Sequence, residues 1–105
     1  MGLGMQQTAE QWRIFYAKEL YKAALPERDE DPLLWAMVLS KMGDASEMIG
    51  ERVRARDLIQ AASNEYRAAL TVFQSSSASK SAAENTEEKL NHSQQVLQRW
   101  SQTPR

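Results

Sequence analysis

No cysteine occurs in the 105 residues, which excludes disulfides and thiolate metal sites and leaves the redox compartment open. Histidine occurs once, as His92, inside the polar run Asn91-His92-Ser93-Gln94-Gln95. With no HExxH pattern beside it, it reads as a surface residue, and neither a metal nor a cofactor is expected. A surplus of either charge is also missing, since 13 Lys and Arg stand against 14 Asp and Glu. A nucleic-acid binder of this size carries a clear basic excess, so nucleic acid is disfavoured as a partner. No apolar run approaches the ~20 residues of a membrane span, and none is expected. Glycine-rich phosphate cradles are absent as well: there is neither a P-loop nor a GxGxxG. The carboxylate pairs Glu87/Glu88 and Asp29/Asp31 lie in charged, solvated segments where nothing raises a pKa for general-acid work. No catalytic constellation remains, and the chain reads as a non-enzyme. The start Met1-Gly2-Leu3-Gly4-Met5 lacks the basic and apolar regions of a secretory signal, and Gln6 stands where myristoylation needs Ser or Thr. The expected location is cytoplasmic.

What is present is helical periodicity in a chain long enough for one core and too short for two. Thr8-Ala9-Glu10-Gln11 fits a capping box and predicts a first helix over 8–25, stopped by Pro26. Trp12, Phe15, Tyr16, Leu20 and Ala23 recur on one face of it and read as core. Asp31-Pro32 is a strong start for a second helix over 32–51, with an apolar stripe of Leu34, Trp35, Val38, Leu39, Met42, Ala45 and Ile49. Gly43, in its middle, costs about 1 kcal/mol relative to Ala, and its expected use is close approach of another helix. A basic turn over 53–56 leads to a third helix over 57–74, whose face is Leu58, Ile59, Ala62, Tyr66, Ala69, Leu70 and Phe73. Gln74 to Ser81 (QSSSASKS) reads as a flexible connector. Ser81-Ala82-Ala83-Glu84 is a second capping box for a fourth helix over 81–100, with a sparse face of Ala83, Thr86, Leu90, Val96, Leu97 and Trp100. Residues 1–7 and 102–105 are expected to be disordered. The fold class is all-α, a single domain of four antiparallel helices.

The chain also echoes itself. AKELYKAAL at Ala17–Leu25 and ASNEYRAAL at Ala62–Leu70 match at five of nine positions, 45 residues apart. Fixed-period similarity is the signature of helical arrays whose units bury their faces against neighbours. Leu39, Met42, Gly43 and Ser46 at i, i+3, i+4 and i+7, followed by Ala62, Tyr66, Ala69 and Leu70 as A-x-x-x-Y-x-x-A-L, resemble the tetratricopeptide repeat family. Pro32-Leu33-Leu34-Trp35-Ala36-Met37 and Gly50-Glu51-Arg52 are similar to a long-turn bacterial variant. The sequence departs from the pattern in three places. The Gly43-to-Ala62 separation of 19 residues exceeds that of the standard repeat, Ser46 replaces the usual aromatic, and no proline follows Phe73. The resemblance implies a short right-handed array of one and a half to two degenerate repeats, with the second and third helices as its complete pair.

It also implies a function: a protein-protein interaction module, adaptor or scaffold, whose groove is lined by the second helix. On that helix Met37, Ser40, Asp44, Glu47 and Met48 lie off the apolar stripe, suited to an apolar, partly basic peptide or helix. The alternative is a self-associating structural protein, a homodimer with no separate ligand. A third reading gives Arg52, Arg54 and Arg56 to phosphate, although three arginines in a turn are more often solvated or paired with Glu51 and Asp57.

Overall fold

The computed structural model describes residues 2–102, with side chains from Trp12 to Ser101. Four helices follow one another: α1 (Gly2–Ala24), α2 (Pro32–Val53), α3 (Arg56–Gln74) and, after a 3-10 turn at Ser77–Ser79, α4 (Lys80–Gln102). No strand occurs among the described residues.

The start of α2 follows its sequence signal. Asp31 Oδ1 accepts from the Leu34 N–H at 3.2 Å, and Pro32 at the first position gives up no hydrogen bond. At its end Arg54 adopts the left-handed conformation, φ 53°, so that the Arg54 and Ala55 N–H groups return to the Gly50 carbonyl. That sharp reversal lays α3 back along α2. Two starts differ from the capping-box expectations. α1 begins before Thr8, which sits inside the helix. α4 begins at Lys80, and the serine-rich connector tightens into a 3-10 turn, with Ser75 Oγ donating to the Val72 carbonyl at 2.7 Å.

The helices stack in chain order, with α2 and α3 as the central pair, α1 on α2 and α4 on α3. One core cluster joins Ala36, Leu39 and Met42 of α2 to Ala69, Val72 and Phe73 of α3. A second joins Ala62, Tyr66 and Leu70 of α3 to Leu90 of α4. Gly43 and Gly50 admit α3 side chains to the α2 backbone. A Cβ on Gly43 would stand 2.7 Å from the Tyr66 ring, and one on Gly50 the same distance from Ile59 Cδ1.

The first helix overturns an expectation. Trp12, Phe15, Tyr16 and Leu20 do not enter the core; they are 65, 49, 65 and 53% exposed, and Ala23 is exposed with them. α1 docks through its other side, with Ile14, Ala17 and Lys18 half-buried and Leu25 packed on the core. The only described helix that α1 packs against extensively is α2, so one face of α1 can be covered and the other cannot. The larger apolar face is the uncovered one.

Candidate functional site

Two features of α2 lie beside its apolar contact with α3. One is a polar line, Asp44, Glu47 and Glu51, spaced i, i+3 and i+7 so that all three share a side of the helix. Tyr66, fully buried, donates its hydroxyl to Asp44 Oδ1 at 2.7 Å. Lys89 of α4 reaches the same carboxylate at 3.1 Å. One turn along, Ser93 Oγ donates to Glu47 Oε2 at 2.6 Å, and His92 Nε2 lies 3.3 Å from Glu51 Oε1. The polar side of α4 is thereby tied to α2 through Lys89, Ser93 and His92.

Burial sets the electrostatics of these groups. The Glu47 carboxyl is raised above its ordinary value chiefly by burial. The Ser93 hydrogen bond and His92 oppose the shift, while Glu51 and Asp44 add to it. The Tyr66 hydroxyl is pushed far up, first by burial, then by donation to Asp44 and by the carboxylates around it. Glu65 of α3, which accepts from Ser46 at 3.0 Å, is raised by burial, with Lys18 of α1 and the Ser46 bond opposing.

The second feature is a cleft of about 300 Å³ between α1 and α2, lined by Arg13, Ile14, Ala17 and Tyr21 on one side and Lys41, Asp44, Ala45 and Met48 on the other. Its wall is largely apolar, with Arg13 and Lys41 as its basic groups. Met37 and Met48 are 56 and 49% exposed.

The five groove residues expected on α2 therefore have different surroundings. Met48 lines the cleft, and Met37 is exposed elsewhere on the helix. Asp44 lines the cleft too, but its oxygens already accept from Tyr66 and Lys89. Glu47 is engaged by Ser93, and Ser40 is buried. The turn arginines are drawn to α4: the Arg54 guanidinium lies 5.0 Å from the Trp100 ring centroid, and Arg56 donates to Ser101 Oγ at 2.9 Å. His92 is exposed as expected, but it has Glu51 beside it.

Sequence reasoning missed Tyr66, Lys89 and Ser93 as partners of that polar line. A signal was available: acids at i, i+3 and i+7 on one helix opposite Lys89 and His92 on another. The fold and site together define an all-α chain of four helices stacked in order, with an open cleft at one end. No family model, curated protein or solved structure matches the chain. Among the described residues no helix is long and apolar enough to cross a membrane.

Proposed function

We propose that the chain is a non-enzymatic protein-interaction module of tetratricopeptide-like, bacterial type, working in the cytoplasm. It takes a peptide or helix from another protein into the cleft between α1 and α2. The observation that carries this reading is the cleft itself, which offers apolar walls, a flexible methionine at its edge and two basic groups at its rim. Met48 adapts its shape to an apolar anchor, and Arg13 and Lys41 favour an acidic neighbour to that anchor. With Asp44 already satisfied inside the protein, a partly basic ligand is less suited than an apolar, acidic one.

The repeat reading has its own support. Ala17, Tyr21 and Ala45, which line the α1–α2 cleft, stand 45 residues before Ala62, Tyr66 and Leu90, which pack α3 on α4. The second contact is closed by Leu90 where the first has only Ala45. On the repeat reading, the cleft corresponds to that junction with a smaller side chain in place of Leu90.

The test is a selection of displayed peptides on the purified protein. Enriched peptides should carry an apolar anchor beside acidic residues and lose at least tenfold in affinity for Met48→Glu, with circular dichroism confirming that the variant is folded. Peptides that bind wild type and variant equally, or no enrichment at all, would sink the proposal.

The exposed Trp12, Phe15, Tyr16 and Leu20 favour a second reading, a homodimer closed through α1. Light scattering over a hundredfold range of concentration separates the two. A monomer throughout removes the dimer, and a dimer that dissociates on Trp12→Glu supports it.

A further inference from the structure

The side chains of Glu47, Glu51 and His92 converge although they come from two helices that are not neighbours in the chain. Their ligand atoms all lie within 4.8 Å of one another. We propose that these three residues form a divalent-cation site, selective for zinc-like ions, that clamps α4 to α2. It is independent of the peptide-binding reading, which uses the cleft beside α1.

The donor set argues for the class of ion. One imidazole nitrogen and two carboxylates, with water completing the shell, make a familiar open zinc site. Calcium and magnesium prefer all-oxygen shells with six or more ligands, which this site lacks. The spacing is close to what a metal needs. Ligands held about 2.0–2.2 Å from a tetrahedral ion stand roughly 3.4 Å apart, so the widest pair has to close by about 1.4 Å. Glu51 and His92 are exposed and can make that movement by side-chain rotation alone.

Glu47 is already fixed. Ser93, with no exposed surface, donates from Oγ to Glu47 Oε2 at 2.6 Å, the shorter of the two contacts open to its one proton, the other being the Lys89 carbonyl at 3.1 Å. That bond occupies one lone pair of the carboxylate and supplies the outer-shell contact that orients a ligating carboxylate. The charge balance points the same way. Glu47 and Glu51, four residues apart on one helix, repel each other. The nearest lysine in the polar line, Lys89, is spent on Asp44 at 3.1 Å. A dication between the two carboxylates replaces that repulsion with attraction and adds to the Ser93–Glu47 hydrogen bond and the His92–Glu51 pair that already join α4 to α2 there.

The test uses the untagged full chain, stripped with chelator and titrated with zinc chloride in a calorimeter, with magnesium chloride in parallel. Because His92 is the only histidine, its imidazole signals can be followed in the same titration by NMR. Wild type should bind one zinc per chain, shift the His92 ring signals at that stoichiometry and melt at a higher temperature with zinc than without. His92→Ala and Glu51→Gln, both exposed positions, should fold normally and each lose at least tenfold in zinc affinity. Ser93→Ala should lose less, and magnesium should neither bind comparably nor move the ring signals. Absence of zinc binding, binding that the two variants retain, or binding that leaves the His92 signals unmoved would each overturn the assignment.

Discussion

Gly43 shows what a single missing methyl does here. A Cβ at that position would stand 2.7 Å from Tyr66 Cε1 and 2.9 Å from Cδ1. The far end of the same ring is held by Asp44 at 2.7 Å, so the ring cannot slide away without stretching that bond. Gly43→Ala should therefore destabilise by about 1–3 kcal/mol in urea unfolding, even though alanine is the better helix former by ~1 kcal/mol; an unchanged or higher midpoint would contradict the tight seat. Ser63 is the opposite case. Its Oγ is buried with no hydrogen-bond partner, so Ser63→Ala should raise stability by up to about 1 kcal/mol. Glu65 adds a pH dependence. Burial raises its carboxyl above 4.5, so the folded state holds the proton more tightly than the unfolded chain. The resulting stability is fully present below about pH 4.5 and lost as pH rises through the folded value. Glu65→Gln should remove that decline in melting temperature. Gly43 was legible in the sequence, since a mid-helix glycine beside an apolar stripe marks a close approach, and so was the Asp31 cap. Asp44 and Glu47 were not. A helical repeat identifies the polar side of a helix but not which neighbour lies opposite it, and without α4 in place those acids read as a solvated groove.

Among the elements, α1 is held most lightly. Its docked side offers Ile14, Ala17, Tyr21 and part of Lys18, while Trp12, Phe15, Tyr16 and Leu20 remain in water. Each of those withholds on the order of 1–2 kcal/mol of burial. Hydrogen exchange should accordingly show the amides of Trp12–Ala24 at least about tenfold less protected than those of Ile59–Phe73 in α3; equal protection would mean that α1 is covered in solution. The face of α3 was readable from its spacing, with Ile59, Ala62, Tyr66, Ala69, Leu70 and Phe73 all buried. The same reasoning misplaced α1. Periodicity identifies a face that gains by burial, but whether anything is there to bury it depends on how many helices surround the element. The sparse stripe of α4 packs on α3, and its buried Thr86 and Ser93 show that such a layer can be closed with hydroxyls as well as with hydrocarbon.

At the scale of the molecule, four helices stacked in chain order give a slab of 48 × 32 × 19 Å. The thin dimension is roughly two helix diameters. The all-α class follows from composition, periodicity and connector length together, because two short turns leave the outer helices little choice but to fold back on the pair between them. The packing clusters join segments close in sequence, Ala36–Met42 with Ala69–Phe73 and Ala62–Leu70 with Leu90, so loop closure costs little. The main refolding phase should be complete within milliseconds in stopped-flow fluorescence; a main phase in seconds would argue against this order of packing. Stacking in chain order also bears on how such a gene can change. Because α1 rests on α2 alone among its extensive contacts, duplication or loss of a helix at that end alters one surface and leaves the α2–α3–α4 unit whole. Lengthening the exposed connector ahead of Asp31 leaves the cap of α2 and the core behind it in place. Insertion at the Arg54 reversal, by contrast, would separate α2 from α3 and part the glycines from the side chains they admit. The sequence therefore has one end open to evolutionary extension and a centre that tolerates almost none.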